Sequence, residues 1–111
     1  MSDYHEPENE LSQHVRNCTR ALHSLREEVD DIDWYNQRVA VTEDEPLKKL
    51  LIHNRDEEIE HACMTLEWLR RNMKGWEERL KTYLYKEGDI TEEEEEGKER
   101  DTTDLHIRTL K

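Results

Sequence analysis

From Leu11 onward the apolar residues Leu11, Val15, Cys18, Leu22, Leu25, Val29 and Ile32 follow one another at steps of 4, 3, 4, 3, 4 and 3. This is an uninterrupted two-position heptad seam, the pattern that keeps one stripe of an α-helix against a partner helix. It runs on toward Tyr35 and Val39, and no glycine or proline interrupts residues 8–40. Pro7, followed by Glu8 and Glu10, supplies a helix start: a proline in the first turn and acids at the positive end of the dipole. Thirty-odd helical residues from that point would span roughly 45–50 Å.

Thr42-Glu43-Asp44-Glu45-Pro46 is a break and a new start, with cap candidates, dipole-compatible acids and a proline in the next first turn. The second helix carries Leu47, Leu50, Leu51, Ile59, Ala62, Leu66 and Leu69 and fades near Asn72. Met73 to Gly75 is a short joint. Trp76, Leu80, Tyr83 and Leu84 mark a third, shorter amphipathic helix ending near Gly88. No stretch alternates with the period of two that a strand requires, so the fold class is all-α.

Composition conflicts with a packed fold only until the seam is taken into account. Leu, Ile, Val and Phe together make up 21 of 111 residues, a level that with a net charge of −12 usually marks disorder. A single antiparallel hairpin with one apolar stripe per helix leaves a wide face open. Two hairpins related by a twofold axis close that face as a four-helix bundle. The chain is poor in hydrophobes because it is half of a structure. Its 29 acidic and 17 basic side chains argue against nucleic acid or an anionic membrane as a partner, since both need a basic face. No apolar run is long enough to span a bilayer, and Met1 to Glu10 is polar and unlike a signal segment. Cys18 and Cys63 form no Cys-x-x-Cys pair, which fits a reducing, cytoplasmic setting better than a disulfide scaffold or a thiolate zinc site.

Charge divides the chain unequally. Residues 1–86 hold 13 basic and 19 acidic groups; residues 87–111 hold 4 and 10, including five consecutive glutamates at 92–96. The expected organisation is a helical unit over residues 1–87, an acidic solvated linker over 88–104 and a terminal peptide over 105–111.

The residues that break the apolar stripes point to chemistry. Extending the second helix's face from Leu47 and Leu51 gives Asn54, Glu58 and His61; Glu58 and His61 form a Glu-x-x-His whose donors share one side of the helix. Glu28 borders the first seam, one turn from Leu25 and Ile32. Carboxylates on a packing face need a counter-charge, and a cation supplies it. Carboxylate oxygen and imidazole nitrogen without thiolate favour iron or manganese among redox metals. Ferritin-like di-metal sites use a Glu from each of two helices and a Glu-x-x-His from each of the other two. This chain holds one of each, and a twofold dimer supplies the rest. Other pairs read as ordinary surface or packing: His53 with Glu57, His14 with the partly buried Cys18, and Cys63, which points away from the His61 face. Glu27, Asp30 and Asp31 form an acidic face beside Glu28 that is either simply solvated or a cation-attracting entrance.

Residues 27–28, 33–38 (Asp-Trp-Tyr-Asn-Gln-Arg), 53–62 (His-Asn-Arg-Asp-Glu-Glu-Ile-Glu-His-Ala) and 64–71 (Met-Thr-Leu-Glu-Trp-Leu-Arg-Arg) closely resemble the encapsulated ferritin family, in a gapless register over about residues 5–90. The resemblance implies two-helix hairpins whose di-iron ferroxidase centre forms only between two subunits, dimers that associate into a ring, here expected to be a decamer, and delivery of Fe(III) to an encapsulin shell. It places the metal ligands at Glu28, Glu58 and His61, the site tyrosine at Tyr35, and the metal entrance at Glu27 and Asp30 beside Trp34. Asp30 stands where the family has Glu, a shorter reach. The family's targeting tail often carries Gly-Ser-Leu; here Leu105, Ile107 and Leu110 follow the acidic linker without that glycine and serine. Apolar residues spaced along an extended segment on a flexible leash are what a docking peptide needs. The expected function is therefore Fe(II) oxidation inside an encapsulin nanocompartment. The alternatives are a non-catalytic helical module glued by a cation and an acidic metal-buffering protein.

Overall fold

The computed structural model describes residues 4–93. Its elements are a 3₁₀ turn at Glu8–Glu10 and three α-helices: α1 (Gln13–Val41), α2 (Glu45–Asn72) and α3 (Trp76–Tyr83). No strand occurs among the described residues, and none of their helices is long and apolar enough to cross a membrane. The chain divides into two compact units, one running to Met73 and the other starting at Lys74.

In the first unit α1 begins five residues later than Pro7 suggests. Pro7 instead opens the 3₁₀ turn, which closes through its own bonds from Glu10 N to the Pro7 carbonyl (3.0 Å) and from Leu11 N to the Glu8 carbonyl (3.1 Å). Leu11 is extended, and the Ser12 hydroxyl caps α1 by accepting from Val15 N at 3.1 Å. A serine that satisfies an orphan amide outweighs a proline that only fixes φ. The Arg16 guanidinium donates to the Glu8 carbonyl and ties the turn to the helix.

The break at residues 42–44 is as short as its cap residues suggest. Thr42 N donates to the Arg38 carbonyl at 3.0 Å, and the Asp44 carboxylate accepts from Leu47 N at 3.0 Å. With Pro46 in the first turn of α2, three residues suffice to turn the chain back. The helices, each about 42–44 Å long, run antiparallel. Arg55 donates to Asn36 at 3.1 Å and Thr65 donates to Glu28 at 2.8 Å, so one partner's number falls as the other's rises.

The hairpin leaves much of its seam uncovered. Cys18 and Leu69 are the buried hydrophobic residues among those described, whereas Val15, Leu22 and Val29 are 43%, 37% and 52% exposed. Leu47, Leu50, Ile59 and Met64 of α2 are exposed as well. Apolar stripes of this length gain most of their stabilisation only when water is removed from them.

In the second unit, Gly75 precedes α3 with φ of 105°, a left-handed conformation that a side chain would strain. The helix ends at Tyr83, several residues before Gly88. Leu84 is extended and Tyr85 takes a positive φ of 60°, which no local sequence signal marks. Beyond Gly88 the Asp89 carboxylate accepts from the Thr91 hydroxyl (2.6 Å) and amide (2.8 Å), and a helical turn occupies residues 90–93. These bonds hold the Asp89 carboxyl below its usual range, the hydroxyl contributing most. The acidic segment therefore opens on a capped turn. The rest of the 88–104 segment, with Leu105, Ile107 and Leu110, lies outside the described residues.

Candidate metal centre

Helix periodicity puts three polar side chains of α2 on one face: Glu58, His61 three residues on, and Thr65 four further. His61 Nδ1 lies 3.5 Å from Glu58 Oε1, with the Glu58 side chain 21% and the His61 side chain 47% exposed. Across the hairpin, α1 presents the half-buried Glu28, whose two carboxylate oxygens accept from the Thr65 hydroxyl at 2.8 and 3.1 Å. Of the three expected ligands, Glu58 and His61 lie together on α2, and Glu28 lies on α1 opposite Thr65.

One chain does not complete a site. Among the described residues no group of three His, Cys, Asp or Glu side chains is arranged to hold a metal ion. The chemistry of the donor set nevertheless suits iron: oxygen and nitrogen donors, with the carboxylates partly withdrawn from water and no arginine or lysine paired with Glu28 or Glu58 among the described residues. Half a ligand set on an incompletely covered helix pair fits a centre that two chains share.

The surrounding positions differ in how they are held. Tyr35 is half-buried, with the Arg38 guanidinium 5.2 Å from its ring centre. Glu27, 65% exposed, sits 3.0 Å from His23 Nε2, whose Nδ1 lies 2.7 Å from Arg26. An arginine only donates, so Nδ1 accepts and Nε2 carries the proton offered to Glu27. Asp30 and Trp34 are exposed, Trp34 by 53%. An open cleft of about 540 Å³ is lined by Ala21, Ser24, Met64, Thr65 and Trp68, among others.

The pairs set aside on sequence grounds behave accordingly. His53 and Glu57 are 3.8 Å apart on the surface. His14 is exposed and 3.7 Å from the buried Cys18. Cys63, expected to pack, is instead exposed in the single chain. Two residues that the sequence left without a role stand out. Thr65 is bonded to Glu28, and His23 is bonded to Glu27. For His23 the i, i+4 spacing to Glu27 was the available signal, whereas the Thr65 bond crosses between helices.

Comparison with known proteins decides the family. The model of the EncFtn-like family matches residues 3–87, which include α1, α2 and α3. The chain belongs to the EncFtn-like family. Its relatives include a Thermotoga maritima protein described as ferritin-like, 56% identical over 114 residues that cover 99% of this chain and all of that one. A Rhodospirillum rubrum protein described as encapsulated ferritin-like is 54% identical over 87 residues, which cover 78% of this chain and 62% of the relative. The crystal structure of a Nitrosomonas europaea protein superposes with a TM-score of 0.76 at 49% identity, over 80% of this chain and 98% of that one. The resemblance in the strings of α1 and α2 is therefore family membership, and the all-α, ferritin-like helix pair is the EncFtn-like fold.

Proposed function

We propose that this EncFtn-like chain is a ferroxidase whose centre is assembled by two copies. The single observation that carries this reading is the half-set: Glu28 on α1 and Glu58 on α2, partly buried and without an arginine or lysine partner among the described residues, with His61 beside Glu58. A twofold-related copy would double this set and cover the exposed Val15, Leu22 and Val29. Pairs of this kind then associate into a ring.

Iron is the substrate. Two Fe(II) ions held together can each give one electron to oxygen or peroxide and leave as Fe(III). The protein's tasks are binding and exclusion. Glu28, Glu58 and His61 neutralise and fix the cations, and Tyr35 stands beside them. Glu27, Asp30 and Trp34 form the entrance, where a chain of net charge −12 draws in cations. A closed seam keeps bulk water away from the centre.

The name of the Rhodospirillum rubrum relative supports an encapsulin shell as the destination of the iron. The tail residues Leu105, Ile107 and Leu110 would dock to the shell, placing the protein inside a cytoplasmic nanocompartment. Deleting residues 105–111 should then leave oxidation and oligomer mass intact while abolishing co-purification with the shell. Retained packaging would remove the tail from the mechanism.

The activity itself is tested by aerobic oxidation of Fe(II) with purified protein beside a Glu28→Ala variant. Rapid oxidation by the parent and background rates for the variant are expected. Metal-dependent assembly without oxidation would make the cation a structural glue, and Fe(II) binding without either would make the protein a buffer.

A further inference from the structure

We propose that Thr65 is a positioning residue of the metal centre: its hydroxyl, donating from α2 to Glu28 on α1, holds that carboxylate in the orientation in which it receives Fe(II). The inference rests on the shared iron centre proposed above and adds to it a residue outside the ligand set.

The first support is an internal comparison. A threonine in a helix commonly turns its hydroxyl back to the carbonyl four residues earlier. Thr19 does so with Val15 at 3.2 Å, Thr82 with Glu78 at 3.0 Å, and Thr42 with Arg38 at the end of α1. Thr65 forgoes the His61 carbonyl and reaches across the hairpin, to 2.8 and 3.1 Å from the two oxygens of Glu28. The second support is electrostatic. Glu28 is half-buried and meets no basic side chain among the described residues, so the hydroxyl is the one polar group that the hairpin offers it. A lone hydroxyl proton occupies little of a carboxylate's acceptor capacity, roughly four lone-pair sites. Glu28 is therefore oriented and remains able to take a cation.

The third support is placement. Thr65 follows His61 by four residues on the same face of α2, so one rigid helix carries Glu58, His61 and the group that aims Glu28. A ligand on the opposite helix is thereby fixed relative to the two on α2 before any second copy arrives. Groups that orient metal ligands in this way typically change metal affinity by about 10–100-fold when removed.

The test is an anaerobic Fe(II) titration of the full chain, with association followed by light scattering, for the parent, Thr65→Val and Thr65→Ser. Val keeps the branched shape and removes the hydroxyl; Ser keeps the hydroxyl. The Fe(II) concentration at half-maximal association should rise about tenfold in Thr65→Val and stay within about twofold of the parent in Thr65→Ser. In aerobic assays the Val variant should show the loss mainly in KM, and Ser should restore it. If Val alters the metal-free helix signal, Thr65→Ala carries the same comparison. A hydroxyl-less variant that titrates like the parent, or more tightly, overturns the proposal, as does an equal shift in the Ser variant. A parent that shows no response to Fe(II) at all overturns the shared centre itself, and is a different result from a responsive parent with an indifferent Val variant.

Discussion

Two acidic groups on α2 lie nine residues apart and have opposite surroundings. Glu67 is bound at 2.6 and 2.7 Å by Arg70 and at 2.6 Å by Arg71, all on its own helix. Those arginines, Arg70 foremost, draw its carboxyl down to about 2. Glu58 has a histidine at 3.5 Å, and Glu28, facing the same stretch from α1, has a neutral hydroxyl. One carboxylate finds its counter-charge inside the chain. The other two are drawn partly out of water, Glu58 with only an imidazole and Glu28 with only a hydroxyl beside it. The difference teaches how to separate an acidic residue that supports a helix from one that waits for a cation. Abundance of glutamate says nothing; the presence or absence of an arginine or lysine partner at i, i+3 or i+4 says a great deal.

The largest expected effect breaks this comparison most openly. Glu28→Ala, Glu58→Ala and His61→Ala should each lower the Fe(II) oxidation rate about a hundredfold or more, beyond the range of supporting residues. Glu67→Ala, the same kind of truncation nine residues from Glu58, should leave the rate within about twofold, as a surface change away from the centre. Full activity in His61→Ala with loss in His53→Ala would shift the working face of α2.

A smaller effect concerns stability without metal, where the two truncations should differ in sign. Glu58→Ala removes a partly buried carboxylate that has only the His61 imidazole beside it. It should raise the metal-free stability by about 1 kcal/mol, or roughly 4–8 °C in thermal midpoint for a chain of this size. Glu67→Ala removes a compensated carboxylate and should lower the midpoint slightly. Calorimetry on metal-free protein checks both, and a fall for Glu58→Ala would show that its carboxylate is already satisfied.

The smallest effect is a pH dependence. Because the folded-state carboxyl of Glu67 lies near 2, below its ordinary value of 4.5, its contribution is fully present above about pH 4.5. It fades as pH falls toward 2. Exposure and salt keep that contribution small. Carboxyl NMR should show Glu67 titrating near 2, and a midpoint near 4.5 would mean that the arginine pairs do not persist in solution.

Much of the architecture could be read directly. The heptad seam, the absence of glycine and proline over residues 8–40 and the Asp44–Pro46 restart are local signals, and α1 and α2 follow them. The helix start lies later than Pro7 suggests because the Ser12 hydroxyl satisfies the amide of Val15. The end of α3 escaped because Tyr85 adopts a left-handed conformation that tyrosine does not advertise. At the proposed centre, Glu28, Glu58 and His61 were visible as polar residues on apolar faces. Thr65 was not, because its role depends on which residue of α1 stands opposite, and that register follows from the length of the turn at residues 42–44. Spacing along one helix reveals a face, whereas contacts between helices need the register.

The central claim is that two chains complete one iron centre. It is met most directly by native mass spectrometry of the full chain loaded anaerobically with Fe(II), counting metal on each species. The expected spectrum shows iron on even-numbered assemblies, two ions for every two chains, and metal-free monomers beside them. Monomers that carry iron at the same occupancy as the dimers would contradict a centre shared between copies.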